Sequence, residues 1–230
     1  MAASLVRELA GEPMQLLADR ALFWPAEAVL FIADLHLGKG EALRRGGIAV
    51  PRGGTREDLA RLHALLDATG ARELCVLGDF LHGAADGGAW QQEWQAWRAA
   101  HAALPISVVA GNHDRRLHRQ AEAWHLALLD ENTPRSPFRL CHLPRIDAGH
   151  VIAGHLHPRV RYPGLPGRWP AFLMRPGLTV LPAFSRFTGG TDPVAAPGDT
   201  YVVCLDGQLA ERYAGRAAGN ALRPGYGRGR

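Results

Sequence analysis

Five short apolar runs in this chain each lead into residues able to bind a metal ion, and that repetition limits the folds open to it. They read VLFIADLHLG (Asp34, His36), LCVLGDFLH (Asp79, His82), SVVAGNHD (Asn112, His113, Asp114), FRLCHLP (His142) and VIAGHLHP (His155, His157). One buried strand followed by a polar loop is ordinary in any α/β protein, and a lone His beside an apolar run is more often a hydrogen-bonded core residue than a ligand. Five such runs in 230 residues, each with its polar group just past the strand's carboxyl end, point to a single site. In open α/β sheets that edge is where ligands bind.

The residue types narrow the chemistry. Seven hard or borderline donors are on offer: the carboxylates of Asp34 and Asp79, the amide of Asn112, and the imidazoles of His36, His142, His155 and His157. A catalytic ion takes about three protein ligands and keeps a position open, so this set suits two ions if one carboxylate bridges them. Imidazole, carboxylate and amide oxygen without thiolate favour Mn²⁺, with Fe or Zn²⁺ as alternatives, over a Ca²⁺ cage or a structural zinc. Two ions roughly 3.5–4 Å apart form a clamp for in-line displacement at phosphorus, ionising water and neutralising phosphoryl charge. The expected reaction is therefore hydrolysis of a phosphoester. His113 follows Asn112 directly and reaches the site without being needed as a ligand. We expect it to be the general acid that protonates the leaving oxygen, with Asp114 orienting it; the plainer readings are one more ligand or a phosphate contact.

The five motifs, in this order, resemble the calcineurin-like metallophosphoesterase superfamily. Its signature of D-x-H, G-D, G-N-H-D/E, a single His and G-H-x-H stands here as Asp34-Leu35-His36, Gly78-Asp79, Gly111-Asn112-His113-Asp114, His142 and Gly154-His155-Leu156-His157. The resemblance implies that Asp34, His36, Asp79 and His157 hold one ion, that Asp79, Asn112, His142 and His155 hold the other, and that Asp79 bridges. It also implies an α/β (α+β) fold, a four-layer αββα sandwich of two mixed β-sheets flanked by helices. A narrower likeness is carried by DLHLGKGEALRRGGIAVPRGGTREDLARL, LGDFLHG, CHLPR and LPAFSRFTGG, which look like the bacterial DNA ligase-associated metallophosphoesterases. That likeness implies a nuclease or phosphodiesterase of DNA repair, with a nucleic acid substrate and with a DNA ligase and a helicase as partners.

Length and composition agree with one enzyme domain, residues 1–213, followed by a Gly/Arg-rich tail, 214–230, that we expect to be disordered. No run approaches the roughly 18–20 apolar residues of a membrane span, and Arg7, Glu8 and Glu12 interrupt any signal-peptide core, so a cytoplasmic protein is expected. Cys75, Cys141 and Cys204 sit in apolar runs without C-x-x-C spacing and read as buried thiols. Alternation along the strand should turn Cys141 away from the metals. An edge hairpin or meander is expected before Glu27, helices from Thr55 to about Thr69 and from about Trp90 to Ala103, and a hairpin at Asp206-Gly207.

Charge bears on the substrate. The net charge is +4 and the pI about 9.3, in the range that hints at nucleic acid. Lys39 is the only lysine among 26 basic residues, five positions after Asp34, and is read as a substrate contact together with His82 and Arg115. The many arginines are more simply explained by codon usage, and Trp90, Trp94 and Trp97, at helical spacing, by core packing rather than base stacking. Two other readings stay open at this point: a phosphomonoesterase or nucleotide pyrophosphohydrolase acting on a small substrate, and a protein-binding scaffold. A complete donor set with His113 beside it argues against the scaffold.

Overall fold

The computed structural model describes residues 3–82 and 88–213, so the expected tail lies outside the described residues. Strands β1 (Ser4–Leu9), β2 (Glu12–Leu17), β3 (Ala21–Trp24) and β4 (Val29–Ile32) form the expected antiparallel meander. After β4 the chain changes habit. Helices α1 (Lys39–Arg45) and α2 (Gly54–Thr69) precede β5 (Glu73–Leu77), α3 (Ala89–Ala100) precedes β6 (Ile106–Val109), and α4 (Leu117–Gln120) precedes β7 (Leu126–Leu129). Strands β4, β5, β6 and β7 pair in parallel, each joined to the next by a helical crossover that parallel pairing requires. The first sheet therefore runs β1-β2-β3-β4-β5-β6-β7.

The second sheet is built from the C-terminal part of the chain: β8 (Thr133–Arg135), β9 (Phe138–Leu140), β10 (His150–Ala153), β11 (Arg159–Val160), β12 (Trp169–Arg175), β13 (Leu178–Val180), β14 (Thr200–Leu205) and β15 (Gln208–Tyr213). Its order is β15-β14-β12-β13-β10-β9-β8, with β11 on β12, and it is mixed, since β9, β10 and β13 run parallel. The β14–β15 hairpin turns at Asp206-Gly207, both at positive φ (39° and 85°), as a two-residue primed turn demands.

Alternation decides the layers. Along β4, Val29 and Phe31 face the second sheet, where they join Met14, Phe138, Ile152 and Phe172, whereas Leu30 and Ile32 face the helices and meet Leu59, Leu62, Trp94 and Leu117. A strand buried on both faces reads as an unbroken apolar run, which is why VLFI and LCVL look alike in sequence. The two mixed sheets and flanking helices are thus present, and among the described residues every helix precedes β8. The outer face of the second sheet carries its own cluster around Val151, Ala171, Tyr201 and Val203, with Tyr162 and Trp169 packed against it.

Local differences from expectation have physical causes. Helix α2 starts at Gly54 behind a left-handed Gly53 (φ 89°), without a side-chain cap. Thr55 and Asp58 have the spacing of a capping box, but the Asp58 carboxylate accepts from Arg61 and from the backbone N–H of Arg186 instead. Helix α3 stops at Ala100, short of Ala103, and its Trp90, Trp94 and Trp97 are buried in the core. All three cysteines are free and buried, with Cys141 Sγ turned to Asn132 Oδ1 at 3.5 Å. Among the described residues no helix is long and apolar enough to cross a membrane.

Candidate metal centre

Strands β4, β5, β6 and β10 end at one edge, and the loop after each carries a motif. Beyond β4 and β5 the parallel pairing persists into the loops, through Asp34 N to Gly78 O (3.1 Å), His36 N to Asp79 O (2.8 Å) and Leu37 N to Phe80 O (2.9 Å). Those bonds set Asp34, His36 and Asp79 side by side. The same edge is closed from the second sheet, where Phe184 N donates to Ala33 O at 2.8 Å.

The donors fall into two groups that share one residue. Asp34, His36, Asp79 and His157 present ligand atoms within 4.8 Å of one another, and so do Asp79, His142 and His155. Asn112 joins the second group, its Oδ1 3.0 Å from His142 Nε2, while His155 Nδ1 lies 3.0 Å from the same nitrogen. All seven expected donors come together, from both sheets. Asp34, His36, Asp79 and His142 are buried.

The hydrogen-bonding pattern fits divalent cations. Neither buried ring nitrogen of His36 has a hydrogen-bond partner, and His157 Nε2 has only Asp34 Oδ1 near it, 3.1 Å away and outside hydrogen-bond geometry; an ion bound at one nitrogen of each ring lowers that cost. His142 Nδ1 lies 3.3 Å from the Leu77 carbonyl, which can only accept, so Nε2 carries the lone pair. Burial, reinforced by Lys39 and by the His157, His82 and His113 rings, pulls the His36 pKa down to about 2, leaving a neutral imidazole. Burial and the neighbouring His142 lower His155 likewise.

The backbone is bent to make this possible. Asp34, His36, Asp79, His155 and His157 all have positive φ, between 46° and 68°, a region non-glycine residues seldom occupy. The glycines in front of the ligands leave room for them. A Cβ on Gly78 would stand 1.9 Å from His142 Nδ1, and one on Gly111 2.4 Å from Asp79 Oδ1.

Around the donors stand the remaining expected residues. The His113 ring reaches within 4.0 Å of Asp79 Oδ2 through Nε2, stacks on His82 at 5.2 Å, and remains 41% exposed at the mouth. Its backbone N–H donates to Asp79 Oδ1 at 3.0 Å. His82 also meets His36 edge-on, and burial, with Lys39 and His113 nearby, lowers its pKa to about 4. Lys39 Nζ donates to Thr188 Oγ1 at 3.1 Å, and burial lowers its pKa against the pull of Asp34 and Asp79. Arg115 is exposed and forms no hydrogen bond or ion pair among the described residues.

Asp114 does not do what its position in the motif suggests. Its carboxylate accepts the backbone N–H groups of Phe80 (3.1 Å), Leu81 (2.8 Å) and Gly111 (2.8 Å), which ties the loop after β5 to the loop after β6. With both oxygens so engaged, Asp114 orients the loop that bears His113 rather than the imidazole itself. Three contributors are not visible in the sequence. Glu131 accepts from the backbone N–H of His142 and Leu143, Thr188 receives Lys39, and Phe187 fills the space beside Gly54. Thr188 and Phe187 lie in the LPAFSRFTGG stretch, which flags the segment without the contacts; nothing local marks Glu131.

Comparison with known proteins agrees with this fold. Residues 28–140 match the family model of the calcineurin-like phosphoesterases. The chain is similar to the crystal structure of the Pseudomonas putida nuclease MPE, at 33% identity and a TM-score of 0.80, over 91% of this chain and 100% of that one. Fainter likenesses are to YfcE, a phosphoesterase from E. coli (17% identity, TM-score 0.45, 80% of this chain and 97% of that one), and to AQ665, a protein of unknown function from Aquifex aeolicus (19%, 0.40, 56% and 78%). No curated protein matches the chain.

Proposed function

Since the chain belongs to the calcineurin-like phosphoesterase family and is a metal-dependent phosphoester hydrolase, we propose that it is a nuclease, cleaving phosphodiester bonds of DNA. The observation that carries the reading is the pair of donor groups sharing Asp79, with two imidazoles, His113 and His82, stacked at their mouth. The nuclease named among its similar structures supports a nucleic acid substrate.

In this reading Asp34, His36, Asp79 and His157 hold one ion, and Asp79, Asn112, His142 and His155 the other, both Mn²⁺. The chemistry supplied there is positive charge for the phosphoryl oxygens and acidification of water. The protein's own groups do the rest. His113, free of the donor set and reaching in from the mouth, delivers a proton from its imidazole to the leaving oxygen. His82, kept neutral by burial, packs against His113 and offers a ring nitrogen to a phosphate oxygen. Lys39, steadied by Thr188, adds an ammonium group for the substrate backbone, and Arg115 extends that charge outward from the site. Asp114 keeps the two loops in register so that His113 stays over Asp79. The narrower sequence resemblance extends the reading to DNA repair in the cytoplasm, beside a ligase and a helicase.

Metal-stripped protein refilled with Mn²⁺ tests this, assayed on bis(p-nitrophenyl) phosphate and on single-stranded DNA, with Asp79→Asn as control. Turnover of both substrates, lost in the control, is the expected result. Hydrolysis of the small diester alone would replace DNA with a small phosphodiester. Hydrolysis of p-nitrophenyl phosphate alone would make the protein a monoesterase.

A further inference from the structure

Away from the catalytic edge, two histidines on different helices face each other. Helices α2 and α3 run parallel between consecutive strands of the first sheet. Arg56 pairs with Glu93 (3.2 Å) near their starts, and His63 Nδ1 lies 3.0 Å from His101 Nε2 at the C-terminal end of α3. The starts of these helices abut the catalytic loops, through Trp90 beside Gly38 and Phe187 beside Gly54. The histidine pair lies farther along, past the middle of α2 and at the end of α3.

Each outer nitrogen of this pair is already turned to an acceptor. His101 Nδ1 is 2.8 Å from the Trp97 carbonyl, which cannot donate, so Nδ1 bears the proton and Nε2 a lone pair. His63 Nε2 is 3.4 Å from an Asp67 carboxylate oxygen, which favours a proton there and a lone pair on Nδ1. His63 Nδ1 then faces His101 Nε2 at 3.0 Å: a proton on Nδ1 makes this a hydrogen bond, whereas a proton on Nε2 of His63 leaves two lone pairs that one cation can bridge. An imidazole whose far nitrogen donates to a carboxylate or a backbone carbonyl is the usual setting of a metal-ligating histidine, because that partner fixes ring and tautomer. Stacking of His101 on Trp97, with ring centroids 4.1 Å apart, holds one of the two rings further. Two nitrogens bound to one zinc ion at about 2.0–2.1 Å in a tetrahedron stand roughly 3.3–3.4 Å apart, a small opening of the present gap.

We propose that His63 and His101 bind a divalent transition-metal ion of the kind imidazole favours, Zn²⁺ first among them, which ties α2 to α3 outside the catalytic centre. The side chains are accessible for this: His63 is 54% exposed, and the pair borders an apolar trough lined by Leu59, Ala60, Ala96 and Ala100. Water completes the coordination. A metal tie between neighbouring helices stabilises the folded state by mass action, as any ligand specific to that state does.

Equilibrium dialysis of the full chain against Zn²⁺, with bound metal counted per protein, tests the site. The wild type should hold one equivalent more than His63→Gln and one more than His101→Gln, while both variants keep wild-type diester turnover with Mn²⁺. At a hundredfold excess of Zn²⁺ over its Kd, the wild-type Tm should exceed that of each variant by roughly 5–10 °C more than it does without Zn²⁺. Equal metal counts in all three proteins would overturn the proposal and make the contact a shared proton. Loss in one variant but not the other would overturn it too, since one histidine would then suffice.

Discussion

The backbone N–H of His155 donates to the carboxylate of Asp34, 3.0 Å to Oδ2 and 3.3 Å to Oδ1, across 121 residues and from the second sheet to the first. One donor is thereby positioned by another, and neither half of the centre is complete until the sheets have packed. Asp34→Ala should remove both a ligand and this tie. The expected outcome is at least one metal equivalent lost and diester turnover down by ~10²-fold or more, read by metal analysis beside steady-state kinetics. Normal metal content in this variant would place Asp34 outside the coordination.

His113→Ala should behave differently, because His113 touches Asp79 without belonging to either donor group. Both ions should stay while kcat falls by roughly 10²–10⁴-fold, the usual cost of a missing general acid. A substrate with a better leaving group, which needs no proton, should recover much of the rate. If the variant instead came out short of metal, the acid assignment would be wrong.

Asp114→Ala tests the loop clamp. Two buried backbone N–H groups and one partly buried lose their acceptor, and leaving even one buried group unsatisfied costs about 1–3 kcal/mol. Stability measured by urea unfolding should drop by at least that amount. A loss of kcat with unchanged stability would favour direct contact with the His113 ring.

The metal-free protein should also lose stability in mild acid. His36 titrates at about 2 when folded against 6.5 in the unfolded chain, so below pH 6.5 the unfolded state takes up a proton that the folded state refuses. Stability is fully present above that pH and falls as the pH drops toward 2, by at most ~1.4 kcal/mol per pH unit for this one group. Urea unfolding of chelator-treated protein between pH 7 and pH 5 gives the slope. His36→Gln should flatten it, and an unchanged slope would mean that other groups carry the effect.

Lys39→Met should raise KM for a diester by about tenfold, the weight of one charge-assisted hydrogen bond. Because burial lowers its pKa, the ammonium is lost on the alkaline side before an ordinary lysine would lose it, so the wild-type KM should rise early as pH increases. Lys39→Arg, which stays charged, should abolish that early rise. A KM indifferent to all three side chains would remove Lys39 from substrate binding.

The donors other than His142 are legible in the sequence because each follows a strand buried on both faces, and such a strand is an apolar run whatever its neighbours are. The helix faces are legible for a similar reason: Leu59, Leu62, Leu65 and Leu66 repeat at helical spacing and are buried. What the sequence hides depends on partners far away in the chain. Asp58 has the spacing of a local cap, yet it accepts from the backbone of Arg186. Asp114 stands next to His113, yet it serves the backbone of residues 80 and 81. Glu131 supports the His142 loop from a turn with no motif at all. Nor does the residue type of Asp34 or His157 disclose that its backbone is left-handed.

That last feature sets activity against durability. Each left-handed, non-glycine residue costs on the order of 1 kcal/mol, and five of them converge on one centre. Glycine would suit those backbone angles better and would supply no ligand. A selection for heat resistance alone, run on the metal-free chain, should therefore drift toward glycine at positions 34, 36, 79, 155 and 157 and yield sturdier proteins that hydrolyse nothing. Keeping Asp and His there is the mark of a chain selected for what it does with phosphoesters.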